Sequence, residues 1–301
     1  MPDEPVLAID IGGTKVAVGI VDLATHTALS TRMAPTPATH GGLAVYQTVI
    51  DLCKQLPEIT TIQAIGVCFG GLVNRNRVMH SNHVDGWANF SLEERLKQDI
   101  APVPVRIIND ANAIAWLEWT RHSKADNLQS LFYLTVSTGI GGGLVIDNKI
   151  IEGRNGMASE IGHLILEADG PVCSCGNHGC LEALAAGPAI SKAYLALSGK
   201  DITASEISTL ATYGDITAIE VLRQSGQYVG RALAALNVIL DVDQIIIGGG
   251  VSRAGSIWWD ALEAQLAAHT LPWSKPPSLS ISSYGKLEGI FAGAVLFYDS
   301  V

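Results

Sequence analysis

Three of the chain's five cysteines fall in one short stretch, CSCGNHGCLE at residues 173–182. Cys173, Cys175 and Cys180 offer three thiolates, and a tetrahedral Zn²⁺ needs one more soft or borderline ligand. Two histidines compete for that place: His178, inside the stretch, and His163, upstream in the segment EIGH. Spacing does not choose between them. A site closed by four protein ligands leaves no position for water, so an ion held there fixes a loop and attacks nothing. The polar residues that such a clip would fix, Glu160, His163 and Glu182, donate and accept hydrogen bonds in the set geometry that a polyhydroxyl ligand requires. For Glu182 the competing reading is a helix start, where a carboxylate favours the dipole.

Three glycine turns form a second set: DIGGTK at residues 10–15, STGIGGG at 137–143 and GGGVS at 248–252. Each follows an apolar run with strand character. The net charge is −10, with only 19 lysines and arginines, so a phosphate here has to be cradled by backbone N–H groups and hydroxyls. None of the three has the spacing of a P-loop or of a dinucleotide fingerprint. Thr14, Lys15, Thr138 and Gly139 are the natural phosphate contacts. Asp10 and Asp110 both fall at the ends of expected strands, where open α/β sheets bind ligands. One carboxylate there can serve Mg²⁺, and the other can take a proton from an attacking hydroxyl. Asp110 has an equally weighted alternative as the N-cap of the helix that follows it, and Asn109 beside it can orient a hydroxyl.

The elements that position these residues are legible from periodicity. Residues 6–22, VLAIDIGGTKVAVGIVD, read as a hairpin in which Gly12 and Gly13 take backbone conformations closed to other residues. Residues 131–150, LFYLTVSTGIGGGLVIDNKI, repeat the pattern, which predicts a duplicated α/β architecture whose halves face each other across a cleft. Between them lie a helix at 41–55, a strand in IQAIGVC, and a strand in VRIIND that feeds the helical ANAIAWLEW. Residues 182–240 are expected to be largely helical with a break near 213–215. QIIIGGGVS then gives a strand and turn, SIWWDALEAQLAAH a helix, and GIFAGAVLF a closing helix packed back on the first lobe. NHVDGWANF, residues 82–90, is an expected loop that brings in Asn82, while Trp87 reads as packing more readily than as a sugar platform.

A chain of 301 residues with 48% hydrophobic content suits two lobes. No apolar run reaches the roughly 20 residues that span a bilayer, and the opening MPDEPVLAID lacks a secretory pattern. A cytoplasmic protein with no membrane partner is expected. The odd cysteine count argues against a disulfide framework, and Cys53 and Cys68, isolated in apolar settings, read as core packing. The acidic balance excludes a nucleic-acid backbone as partner.

Taken together, these residues resemble the ROK family of sugar kinases and sugar-responsive repressors, within the actin-like and hexokinase-like ATPase superfamily. AIDIGGTK is similar to the family's first phosphate motif, TVSTGIGGG with GMASEIGH to its signature, CSCGNHGCLE to its zinc knuckle, and IIIGGGVS to its adenosine motif. The resemblance covers nearly the whole chain. It implies a two-lobed, duplicated ribonuclease-H-like fold with a central cleft and a zinc knuckle. The N-terminal α/β lobe would be residues 1–120, with a C-terminal helix at about 290–301 packed back on it, and the C-terminal lobe residues 121–289. It further implies ATP and catalytic Mg²⁺ in the cleft, a structural Zn²⁺, a homodimer, and phosphoryl transfer to a hexose 6-hydroxyl, glucose first. In that frame Asp110 is the catalytic base, and Gly71, Asn82, Asn109, Glu160, His163 and Glu182 contact sugar. Asp10, Gly12, Gly13, Thr14, Lys15, Thr138, Gly139, Gly249 and Gly250 hold the nucleotide. His163 becomes the fourth ligand of the zinc, beside Cys173, Cys175 and Cys180.

The chain departs from the family in two places. The loop that reads approximately N-L-P-G-W in family glucokinases is one residue longer here, with Ser91 where proline is usual, which alters the rim of the sugar pocket. Ala186 stands where serine is common. An N-acetylhexosamine kinase, above all one for N-acetylmannosamine, is the alternative within the class, since the altered loop admits a 2-acetamido group. A sugar-sensing repressor is the alternative outside it, disfavoured by the acidic charge, by Asp110 and by the few residues ahead of the first phosphate motif.

Overall fold

The computed structural model describes residues 5–88 and 90–297. The chain divides into two compact units. One holds the chain up to Asn127, Gly143–Ala158 and the segment from Ser283 on; the other holds Leu128–Gly142 and Ser159–Ser282. In the first unit, β1 (Pro5–Ile11), β2 (Lys15–Asp22) and β3 (Thr27–Pro35) are followed by helix α1 (Gly41–Cys53) and β4 (Ala64–Phe69). A small hairpin, β5 (Leu72–Asn74) and β6 (Arg77–His80), leads through α2 (Leu92–Asp99) to β7 (Val105–Asn109) and α3 (Asp110–His122). The main sheet has the order β3-β2-β1-β4-β7. Its first three strands are antiparallel neighbours, and β1, β4 and β7 run parallel.

The chain continues with β8 (Ser130–Val136), β9 (Ile140–Ile146) and β10 (Lys149–Ile150), then helices α4 (Leu181–Ala185), α5 (Gly187–Ser198), α6 (Ala204–Thr212) and α7 (Ile216–Leu240). β11 (Gln244–Gly248), α8 (Ser256–His269) and β12 (Ser278–Ile281) follow. The second sheet has the order β10-β9-β8-β11-β12, with β8, β11 and β12 parallel. Both sheets therefore place their strands in the same sequence, third, second, first, fourth, fifth, which is the duplication that the repeated strand-turn-strand pattern predicts. The expected helical break at Tyr213–Asp215 falls between α6 and α7, where Asp215 caps α7 by accepting from the Ala218 N–H at 2.8 Å. Further breaks separate α4, α5 and α6, so the region is four helices in place of two.

The last helix, α9 (Glu288–Val295), belongs to the first unit. Strand parity explains where it sits, because alternate side chains of a strand point to opposite faces. Leu7, Ile9 and Ile11 pack with Val45, Val49 and Trp87 in one core cluster, whereas Val6 and Ala8 pack with Ile290 and Ala294 of α9 in another. Asp10 shares the parity of Val6 and Ala8, and it meets the α9 side: a Cβ built at Gly289 would lie 2.5 Å from its Cγ. Cys53 and Cys68 are buried in this unit, as the sequence indicates, and the Cys68 thiol donates to the Gly289 carbonyl at 3.2 Å. Burial pushes the Cys53 thiol up to about 12.

One expectation requires correction. Neither Gly12 nor Gly13 has a left-handed backbone, whereas Gly249 does, with φ of 86°. The glycines of the first turn are required for space, not for a special φ.

Candidate active site and metal centre

In the first unit, Ile11 of β1 lies opposite Phe69 of β4, and Phe69 lies opposite Asn109 of β7. The three parallel strands end level, and the residues that follow them, Gly12, Gly70 and Asp110, share one edge of the sheet. The Gly70 N–H donates to the Ile11 carbonyl at 2.8 Å, and a Cβ at Gly70 would lie 3.6 Å from Asp110 Oδ2. The capping alternative for Asp110 is resolved by its neighbour. Asn109 Oδ1 accepts from the Asn112 N–H at 3.1 Å and is the N-cap of α3, while its Nδ2 donates to the Gly71 carbonyl at 3.1 Å. Asp110 is the first helical residue, with Oδ1 accepting from the Ala111 N–H at 2.8 Å, so its carboxylate sits at the positive end of the dipole.

The first glycine turn is strapped by a residue that sequence reading passes over. Thr36 donates its hydroxyl to the Gly12 carbonyl at 2.7 Å and its N–H to the Thr14 carbonyl at 3.0 Å. With the Gly12 N–H bonded to the Lys15 carbonyl at 2.9 Å, the N–H groups of Gly13 and Thr14 are left without a partner among the described residues, as an anion-binding turn requires. Asp10 lies beneath, 3.5 Å from Lys15 Nζ. Burial raises its carboxyl above the usual range, and Lys15 opposes that shift. A carboxylate in this position suits Mg²⁺, which binds through one or two carboxylates together with substrate phosphates. Asn82 is exposed and pairs its Oδ1 with His80 Nε2 at 3.0 Å. Trp87 is packing: it is buried, edge-on to Phe69 at 5.0 Å and to Phe90 at 5.1 Å.

In the second unit, His163, Cys173, Cys175 and Cys180 bring four ligand atoms within 4.8 Å of one another. Zn–S bonds of about 2.3 Å and Zn–N bonds of about 2.05 Å in a tetrahedron imply edges of about 3.8 Å between sulfurs and about 3.6 Å from sulfur to nitrogen. Cys175 and Cys180 are 3.7 Å apart, and His163 Nδ1 is 3.6 Å from Cys173 Sγ. The residues therefore fit the ion. His178 is occupied elsewhere, with Nδ1 3.1 Å from the Gly170 carbonyl. Burial, with its two neighbouring thiols, pushes the Cys180 thiol up to about 12; a bound divalent cation reverses that preference by stabilising thiolate.

Glu182, on the first turn of α4, joins this cluster to the second glycine turn. Its Oε1 accepts from the Ser174 hydroxyl at 2.9 Å, and its Oε2 accepts from the Ile140 N–H at 3.1 Å. A Cβ at Gly139 would lie 2.7 Å from Oε2, so Gly139 is glycine to admit this carboxylate. Glu160 precedes the short 3₁₀ turn Ile161–His163 and follows Ser159, whose φ of 70° is unusual for a residue with a side chain. Burial raises the Glu160 carboxyl, His163 opposes this, and Glu182 adds to it.

Gly248, the last residue of β11, lies opposite Thr135, one residue short of the end of β8. Beside their turns lies a cavity of about 520 Å³ whose walls include Thr138, Gly187, Pro188, Ile190, Gly250 and Arg253. Hydroxyls of Ser191, Thr203, Ser205 and Ser208 complete it, giving the mixture of apolar wall and few polar groups typical of a small-molecule site. Thr138 and Gly250 thus line one cavity. Thr203, Ser208 and Arg253 carry no local signal, because they arrive from other helices and turns. A second open cavity, of about 700 Å³, lies at the opposite ends of β11 and β12 and contains none of the expected site residues.

Two sheets of one strand order, each with a glycine turn at its strand ends, define the two-lobed α/β class of the actin-like and hexokinase-like ATPases. Within that class the family model for the ROK family matches residues 6–299, and the chain belongs to that family. Over 252 residues it is 35% identical to an N-acetylmannosamine kinase of Vibrio vulnificus, covering 83% of this chain and 84% of the relative. It is similar to the crystal structure of a ROK hexokinase from Thermus thermophilus, with TM-score 0.82, 33% identity and 97% of each chain covered. It is equally similar to a ROK family glucokinase from Streptomyces griseus in complex with glucose and AMPPNP, with TM-score 0.82 and 30% identity over 97% of this chain and 98% of that one. No helix among the described residues is long and apolar enough to cross a membrane.

Proposed function

We propose that this chain is an ATP-dependent sugar kinase that phosphorylates the 6-hydroxyl of an N-acetylhexosamine or hexose, N-acetylmannosamine ahead of glucose. The observation that carries the reading is the level edge of β1, β4 and β7, which sets Asp110 beside the strapped turn of Gly12–Thr14. Asp110 accepts the proton of the acceptor hydroxyl as its oxygen attacks the γ-phosphorus. The bond to the β,γ-bridging oxygen breaks and ADP leaves. The N–H groups of Gly13 and Thr14, with Lys15, bind the triphosphate, and Thr138, Gly139, Gly249 and Gly250 bind the remainder of the nucleotide beside the hydroxyl-lined cavity. Glu160, His163 and Glu182 orient sugar hydroxyls, joined by Gly71 and Asn109. Asn82 keeps its assignment as a rim contact.

Mg²⁺ would be held at Asp10 and would offset phosphate charge. Zn²⁺ would be held by His163, Cys173, Cys175 and Cys180, and it would fix the ring of His163 and, through Ser174, the carboxylate of Glu182.

The order of sugars departs from a glucose-first expectation. It is supported by the name of the Vibrio vulnificus relative, while the Streptomyces griseus glucokinase supports glucose as the second reading. A coupled assay of ADP release over N-acetylmannosamine, N-acetylglucosamine, glucose and mannose tests both. The expected result is highest kcat/KM with N-acetylmannosamine, and a preference for glucose by tenfold or more would reverse the order. Binding to duplex DNA with no turnover on any sugar would favour a regulator instead.

A further inference from the structure

His83 has no role in the account so far, yet its ring occupies the space beside the first glycine turn. The loop that carries it is held from below: Ser81 donates its hydroxyl to the Gly70 carbonyl at 3.2 Å, and the His83 N–H donates to the Ser81 hydroxyl at 3.3 Å. Val84 and Trp87 then anchor the loop in the core. The imidazole itself is exposed and lies against Gly13, where a Cβ would be 2.7 Å from its Cγ, 2.8 Å from Cδ2 and 2.9 Å from Cβ. Because the φ of Gly13 lies outside the left-handed region, this ring is the reason that position admits no side chain. Cγ and Cδ2 are the ring atoms nearest to Gly13, so Nδ1 and Nε2 lie farther from it, and neither has a hydrogen-bond partner among the described residues. Ser81 ties the same loop to Gly70, where a Cβ would lie 3.6 Å from Asp110 Oδ2.

We infer that His83 contacts the transferring phosphoryl group, donating a ring N–H to a γ-phosphoryl oxygen and holding the phosphorus in line with the attacking hydroxyl. The inference rests on the kinase reading above. In phosphoryl transfer, charge spreads over the equatorial oxygens of the transferring group. A donor already in position there gains more in the transition state than in the ground state, so it acts on kcat. Either tautomer of imidazole supplies one N–H. Asn82, its neighbour in the loop, is engaged with His80.

The test is steady-state kinetics of the full chain with ATP and sugar each varied, on wild type, H83A and H83Q, with Tm measured on the same preparations. H83A is expected to lose roughly 10²-fold in kcat with both KM values within about threefold of wild type. H83Q keeps an N–H donor and is expected to recover part of the loss, and the exposed ring leaves Tm unchanged in both. Wild-type kcat in H83A, a loss confined to the sugar KM, or a loss matched by a fall in Tm in both variants would overturn the assignment while leaving the kinase reading intact. Absence of sugar-dependent ADP release in the wild type would overturn both.

Discussion

Asp10 and Asp110 are carboxylates at the ends of β1 and β7, two strands of one sheet with β4 between them, and their surroundings set them different tasks. Asp110 lies at a helix start, where the dipole favours its anion. Asp10 is half-buried, and its loss of solvent raises its carboxyl despite Lys15. An acid whose folded pKa is raised costs stability wherever it is ionised in the fold. That cost is full above the folded pKa and disappears as pH falls towards the unfolded value. D10N therefore removes a cost at neutral pH: without nucleotide, its Tm at pH 7–8 is expected to equal or exceed that of wild type, and the gap is expected to close as pH is lowered towards about 4. Its turnover is expected to be lost, since the carboxylate proposed for Mg²⁺ is gone. Thermal melts across that pH range check the first part, and a D10N protein less stable than wild type at pH 7–8 would contradict it. Asn109 gives a second prediction at this scale. N109A removes both the cap and the bond to Gly71 and is expected to cost about 1–2 kcal/mol in denaturant unfolding. N109S restores the cap and most of that stability without the amide. If N109S also restores sugar KM, the residue is a cap alone.

Elements place these residues by register more than by local preference. The ends of β1, β4 and β7 were each legible as strand followed by glycine or aspartate, but their level alignment, Ile11 to Phe69 to Asn109, is a property of pairing that no single segment carries. The same limit explains the N-cap of α3, which moves by one residue to Asn109, and Gly13, whose requirement comes from His83 on a distant loop. The knuckle was legible as chemistry, three thiolates in one short stretch, and spacing left two histidines as candidates. The fold decides for His163 because the 3₁₀ turn Ile161–His163 delivers it to the thiols, while His178 is held at Gly170. Thr36, Thr203 and Arg253 had no motif to announce them. From Ser174 and Glu182 to the Ile140 N–H, the knuckle is wired to the second glycine turn. Metal content by atomic absorption is therefore expected to be about one zinc per chain. Its removal by C175S or by chelation is expected to lower kcat/KM for sugar by about 10- to 100-fold. An unchanged kcat/KM in metal-free protein would detach the knuckle from function.

At the scale of the molecule, the two sheets repeat one strand order, and each carries a glycine turn at its strand ends. The duplication was visible in the sequence because strand, turn and strand recur with the same alternation. The hydroxyl-lined cavity was not, because its hydroxyls come from α5, α6 and the residue before α6. In the proposed reaction Asp110 draws the proton from a sugar hydroxyl. The most direct measurement is ADP release by wild type and D110N, with N-acetylmannosamine, with glucose and with no sugar, beside sugar affinity by calorimetry on the same proteins. ADP release is expected to need sugar and to fall by about 10² to 10⁴ in D110N, with sugar Kd within about threefold of wild type. Release that proceeds without sugar, or that persists in D110N at the wild-type rate, would contradict the account.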